Sequence, residues 1–216
     1  MINLIYTGSA DGLASPWGNY KQDIDFVLSC DPLHSKMSKR KNKLAGKHFQ
    51  TAIFDKEEVK TFYVLKKKKC SSLFPPDYEF IKEKFGDIPR KYATVDKIEI
   101  ACCRLDSLIE QSESIAGKSI DFDFLFSDVQ GADFNVVRSM GDRIGELIGL
   151  HLELYLKPFY KGAVLFEEAD KFFKEQGFTL VKNFRKNPDV FDNFLYIREN
   201  TAKKDKLNFI KRVYKI

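Results

Sequence analysis

Apolar positions in this chain gather in short runs, and between the runs they recur at every third or fourth residue. Residues 2–6 (INLIY) form a first strand-like run, broken by Gly8 and Gly12. Residues 24–30 form a second, closed by Asp31-Pro32. Residues 47–54 and 60–65 read as a third strand and a further one close behind it. Residues 98–103 are another, followed by a short helix through Leu105, Leu108 and Ile109. Residues 122–129 are nearly continuous in apolar side chains up to Asp128, as expected of a strand buried on both faces. Residues 132–140 put Phe134, Val136, Val137 and Met140 at helical spacing. Residues 147–155 form a strand with His151 and Glu153 on one face. Residues 163–176 read as a helix with Leu165, Phe166, Ala169, Phe172 and Phe173 inward, stopped by Gly177. Residues 178–184 and 194–198 then pair as an antiparallel hairpin through Asn187-Pro188-Asp189. Alternation of this kind predicts an α/β domain with a largely parallel sheet. The stretches 32–46 and 71–92 are long insertions, which in such folds lie over the ligand edge.

Composition narrows the class. The chain has 216 residues, 44% hydrophobic and 31% charged, the balance of one globular domain. No run of about 18 apolar residues is present, so no transmembrane helix is expected. Nor does a basic stretch followed by an apolar one open the chain as a leader would. Cys30, Cys70, Cys102 and Cys103 are too irregular for a disulfide framework or zinc motif, so a cytoplasmic protein with reduced thiols is expected. Three scattered histidines and ungrouped carboxylates predict no metal site.

The net charge of +5 conceals an uneven distribution. Residues 36–69 hold 12 Lys/Arg against 3 Asp/Glu, and residues 202–216 hold 6 against 1. The remainder is acidic by nine charges. The chain thus divides into a body over 1–201 and a basic segment over 202–216. Two basic stretches suit nucleic acid, an acidic membrane surface, an anionic substrate or plain solvated faces. Aromatics are not interleaved with the basic residues over 35–47, and Lys66 to Lys69 is a bare run, which disfavours nucleic acid.

The first strand leads into Tyr6-Thr7-Gly8-Ser9-Ala10-Asp11-Gly12, and the second ends at Asp31. A glycine just after a first strand lets the backbone approach a cofactor where a Cβ would collide. An acid about 20 residues on is placed to accept hydrogen bonds from ribose hydroxyls. The loop lacks a full GxGxxG, which favours a mononucleoside-type cofactor over a dinucleotide. A chance glycine turn and an Asp-Pro turn starter are the structural alternatives.

A second constellation is more specific. Asp128-Val129-Gln130-Gly131-Ala132-Asp133 follows the apolar strand, His151-Leu-Glu-Leu-Tyr155 comes next, then Lys157-Pro-Phe-Tyr160-Lys-Gly162, and Gly177-Phe178 lies further on. In these motifs and their order the chain resembles the FkbM-type methyltransferases, over about residues 2–198. Gly8 to Gly12 with Trp17 is similar to the family's cofactor loop, and Asp31-Pro32 to its ribose acid. Cys70-Ser71-Ser72-Leu73 and Leu105-Asp106-Ser107-Leu108 match intermediate motifs. Two positions depart from the pattern. Tyr6 stands where class I methyltransferases usually carry an acid, and Phe126-Ser127 where this family often has a lysine.

The resemblance implies a Rossmann-like, mostly parallel seven-stranded sheet with a C-terminal antiparallel hairpin and helices on both faces. It implies S-adenosylmethionine as cofactor and O-methylation of a saccharide or small molecule. Cofactor contacts are then expected from Tyr6, Gly8, Ser9, Ala10, Asp11 and Gly12, ribose binding from Asp31 beside Pro32, and adenine packing near Ile53 and Phe54. Asp55 could meet the adenine amino group, with Ser71 and Ser72 lining the site. Asp128 is the first choice of general base, at the end of a central strand, with a helix cap as its structural alternative. Glu153 and His151 are second choices, His151 having a buried structural reading beside the chemical one. Gln130, Gly131 and Tyr160 are expected toward the acceptor, and Lys39 and Arg40 would favour an anionic one. A nucleic-acid-associated protein, an RNA methyltransferase and a cofactor-binding fold without methyl transfer remain competing readings.

Overall fold

A computed structural model of the chain describes residues 1–10, 12–33, 45–185, 187 and 189–216. In chain order the elements are β1 (Ile2–Thr7), β2 (Ile24–Cys30), β3 (Gly46–Phe49), β4 (Ala52–Ile53), β5 (Val59–Leu65), α1 (Tyr78–Phe85), β6 (Thr94–Cys103) and α2 (Leu105–Ala116). They continue with β7 (Phe124–Ser127), α3 (Asp133–Arg138), β8 (Gly149–Tyr155), α4 (Phe166–Glu175), β9 (Thr179–Asn183), β10 (Phe191–Ile197) and α5 (Lys204–Tyr214).

Seven strands form one sheet in the order β3-β2-β1-β7-β8-β10-β9. The pairs from β3 to β8 are parallel, and β10 runs antiparallel to both β8 and β9. From β1 the chain winds outward through β2 to β3, then returns to β7 on the other side of β1. The strand order therefore reverses between β1 and β7, the place where open α/β sheets bind ligands beyond their strand ends. Thr7 of β1 and Ser127 of β7 are register partners there.

Each face of the sheet has its own apolar cover. On one, Ile5, Leu28, Leu125, Leu150 and Leu152 pack against Leu108 and Ile109 of α2, Val136 and Val137 of α3, and Phe173 of α4. On the other, Leu4, Tyr6, Phe124, Phe126 and Leu195 pack against Trp17 and α5. The described residues between β1 and β2 hold only two single-turn 3-10 helices, at Trp17–Asn19 and Lys21–Asp23. Trp17 and α5 supply the layer on that side.

One expectation changes, and two segments gain definition. Residues 47–54 do not make one strand: β3 joins the large sheet beside β2, whereas β4 pairs with β6 in a three-stranded sheet ordered β4-β6-β5. The insertion over 71–92 contains α1, begun by Asp77, whose Oδ1 accepts the Glu79 and Phe80 amides, and ended by Gly86 in the left-handed region. The basic segment 202–216 is not a solvated tail. Its helix α5 buries Leu207, Ile210, Val213 and Tyr214 and turns its charged residues outward or onto the Asp123 carboxylate. Among the described residues, no helix is long and apolar enough to cross a membrane.

Candidate active site

The loops after β1, β2 and β7 surround a cavity of about 790 Å³, within the usual range of about 300–1,000 Å³ for small-molecule sites. Its closeness of fit begins at Gly8, whose φ of +77° is in the left-handed region. A Cβ there would collide with the Asp128 carbonyl oxygen, so glycine is needed for the β1 and β7 loops to lie together. The glycine requirement thus comes from the protein's own backbone. The Gly8 amide donates to the Cys30 carbonyl at 3.0 Å, and the Asp128 amide to the Thr7 carbonyl at 3.3 Å.

Gly8, Ala10, Gly12, Asp31, Pro32 and Ile53 all line this cavity, together with Tyr6 and Ser71. Asp31 is buried at the end of β2 and its Oδ1 accepts the Leu33 amide at 2.9 Å. Ser9 is buried beneath the loop, its hydroxyl 3.4 Å from the Cys30 carbonyl. Phe54 is not a lining residue; it packs in the small apolar cluster with Phe62, Val64 and Leu73. Asp55, expected near adenine, instead meets Arg138 at 3.3 Å and accepts from Asn135 Nδ2 at 3.3 Å. Asp11, Lys39 and Arg40 lie outside the described residues.

Tyr6 and Phe126, the two departures from the family pattern, are one feature. They are register partners on adjacent strands, and their rings stack at 4.6 Å with only 5° between planes. The Tyr6 hydroxyl accepts the Ala14 amide at 2.8 Å, tying the loop after β1 down onto the sheet. An acid at position 6 would be driven against the Phe126 ring.

Gln130 organises the carboxylates. Its φ of +58° places a non-glycine residue in the left-handed region, at a cost of about 1–2 kcal/mol. Hydrogen bonds offset that cost. Its Nε2 donates to Asp128 Oδ1 and to Glu153 Oε1, each at 2.7 Å. Its backbone carbonyl accepts the Ser72 hydroxyl at 2.6 Å, and the Tyr160 hydroxyl lies 3.3 Å from its Oε1. The Tyr155 hydroxyl is 3.4 Å from the same Oε1 and 3.3 Å from Glu153 Oε1. Burial, with the Glu153 charge beside it, raises the Tyr155 phenol well above its ordinary range, so it stays protonated.

Asp128, Gln130 and Ala132 line the cavity, whereas Glu153 sits behind Gln130. Asp133 is fully buried at the start of α3, and its Oδ2 accepts the Val129 amide at 3.4 Å. Burial pushes its carboxyl up to about 7, with the Asp128 charge adding to the effect. Asp128 does not cap α3, which starts after Ala132 without any side-chain cap. Gly131, at φ +97°, lets the turn pass close to Tyr160 and Ala163.

His151 and Tyr160 lie away from the open space. His151 is caged by the Tyr214 hydroxyl at 2.9 Å, Asn193 Oδ1 at 3.0 Å, and the rings of Phe126 and Phe184. It shares a face with Glu153 as expected, but one step deeper in the sheet. Tyr160 is buried and donates its hydroxyl to the Cys70 carbonyl at 2.6 Å. Ser72 is buried too, and Ser71 accepts the Leu65 amide at 3.0 Å. Sequence reasoning missed Lys67, Lys68 and Lys69 as lining residues. Their only signal was a bare basic run two residues before the Ser71-Ser72 motif.

Among the described residues, no group of three or more His, Cys, Asp or Glu is placed to hold a metal ion. The family model for the methyltransferase FkbM domain matches residues 18–180 of the chain. That span begins after β1 and its glycine loop and includes β2, Asp31, Asp128 and β8. No curated protein and no solved structure matches.

Proposed function

We propose, from the premise that the chain belongs to the FkbM methyltransferase family, that it moves a methyl group from S-adenosylmethionine to a hydroxyl on a saccharide or small-molecule acceptor. The observation that carries this reading is the convergence of Gly8, Asp31 and Asp128 on one cavity at the sheet's switch point. The residues suit the cofactor. A buried carboxylate at Asp31 fits a ribose diol, Ala52 and Ile53 offer an apolar wall for a purine, and Gly8 and Gly12 keep the first loop slim.

When bound, the cofactor's sulfonium supplies an already activated methyl group. The protein's work is then alignment, exclusion of water and removal of one proton. Asp128 is the group proposed to accept the hydroxyl proton: it lines the cavity, and one of its oxygens is fixed by Gln130. Glu153 shares the same amide and acts through Gln130, holding that side chain and hence Asp128 in place. His151, closed in by Tyr214 and Asn193, acts as a packing and hydrogen-bonding centre under this reading. The four described cysteines are free thiols, which suits the cytoplasm, where thiols stay reduced.

The test is transfer of labelled methyl from S-adenosylmethionine to a panel of saccharides and small hydroxyl compounds. Asp128→Asn should lower turnover by about 10²–10⁴-fold, the range for a general base, while changing S-adenosylhomocysteine affinity less than about threefold. A variant that turns over like the wild type would remove Asp128 from the role.

A further inference from the structure

We infer that Lys67, Lys68 and Lys69 form a subsite for an anionic group, a phosphate or carboxylate, on the acceptor. This deepens the methyltransferase reading and rests on it for the word acceptor. The basic side chains lining the cavity, among the described residues, are these three, and the acidic ones are Asp31 and Asp128. Asp31 is the proposed ribose ligand and Asp128 the proposed base, which leaves the three lysines as charged lining residues that neither role uses.

The turn that carries the lysines is built into the site. Lys68–Cys70 is a single 3-10 turn at the end of β5, closed by the Cys70 amide donating to the Lys67 carbonyl at 2.8 Å. The Lys67 amide donates to the Lys91 carbonyl at 2.9 Å, holding the turn from outside. From inside, the buried Tyr160 hydroxyl donates to the Cys70 carbonyl at 2.6 Å. Two residues on, the Ser72 hydroxyl donates to the Gln130 carbonyl at 2.6 Å. One buried hydroxyl therefore fastens this stretch to the loop that carries Asp128, and the other to the loop after β8.

Three consecutive ammonium groups carried on exposed stems from one pinned turn repel one another. An anion within reach of the cavity would offset that repulsion, and three flexible point charges suit a phosphate or carboxylate of varied approach. Phe62 and Leu73, also lining the cavity, add apolar surface that strengthens such a contact. The acceptor class is thus a hydroxyl compound bearing a phosphate or carboxylate, such as a sugar phosphate or a uronic acid.

The test uses the full chain loaded with S-adenosylhomocysteine and follows backbone amide signals during titration with inorganic phosphate, glucose 6-phosphate, glucuronate and, as the neutral control, glucose. Phosphate, glucose 6-phosphate and glucuronate should shift amides of residues 67–73, with dissociation constants that rise with salt, and glucose should not. Changing Lys67→Gln, Lys68→Gln and Lys69→Gln together should weaken the anions by at least about tenfold, with S-adenosylhomocysteine affinity held within about twofold. Because these side chains are exposed, an unchanged melting temperature is expected and checks the fold. Anions that bind the triple variant as well as the wild type, or that shift nothing at millimolar concentration, overturn the inference and leave the methyltransferase reading standing. Failure of the wild type to bind S-adenosylhomocysteine strikes that reading instead, and the same titration on the bare protein still reports whether the lysines hold an anion.

Discussion

One side-chain amide holds two carboxylates at the centre of this molecule. Gln130 donates to both Asp128 and Glu153, and it does so from a left-handed backbone conformation that few residues adopt. Gly8 is the second residue on which the site depends, since the loop after β1 closes against the Asp128 carbonyl at its α-carbon. Gly8→Ala should lower stability by about 1–3 kcal/mol or more, from the unfavourable φ and the collision together. Denaturant unfolding checks this; a midpoint shift within error would mean that the two loops can part at no cost. Asp31 and Gly8 were legible in the sequence because they follow their strands directly. The Tyr6–Phe126 stack was not. Its partners are far apart in the chain, and only the pairing of β1 with β7 makes two separate departures from the family pattern a single compensating pair.

At the scale of elements, strands buried on both faces announced themselves as apolar runs, and β1, β2, β7 and β8 fall where those runs are. The division of residues 47–54 into β3 and β4 was hidden, because their separation is decided by distant partners, β2 and β6. In α5 the charge count masked the pattern that matters: Leu207, Ile210, Val213 and Tyr214 recur at helical spacing. The helix is also clasped electrostatically. Asp123 is fully buried, and Lys203 and Lys206 reach it at 3.1 and 2.8 Å. Removing both lysines strands a buried charge, so Lys203→Ala with Lys206→Ala should cost about 3–5 kcal/mol. Adding Asp123→Asn should recover part of the loss; no recovery would mean that the cost came from the lysine stems.

A second clasp gives a pH dependence. Arg143 binds Glu113 at the end of α2 at 2.9 Å, and this hydrogen-bonded pairing lowers the Glu113 carboxyl from 4.5 to about 2. A depressed carboxyl stabilises the fold above its unfolded value and ceases to do so as pH falls through the folded one. The contribution is therefore complete above pH 4.5 and disappears on acidification toward about 2. Glu113→Gln should flatten the stability curve across that window in acid titrations of unfolding. A curve of unchanged slope would assign the acid sensitivity to other carboxylates.

For the whole molecule, three layers converge on one edge. Helices α2 to α4 cover one face of the sheet, Trp17 and α5 the other, and the small β4-β6-β5 sheet with its lysine turn stands over the strand ends. That arrangement explains why the +5 net charge said little by itself. One basic stretch ends in a turn at the cavity, and the other is the outer face of a packed helix. The central claim is that this cavity receives S-adenosylmethionine with Asp31 on its ribose. Calorimetric titration of S-adenosylhomocysteine into the wild type and Asp31→Ala tests it most directly. Saturable one-to-one binding by the wild type, weakened at least about tenfold in the variant, is the predicted result. No binding by the wild type at millimolar ligand, or equal binding by both proteins, would contradict it.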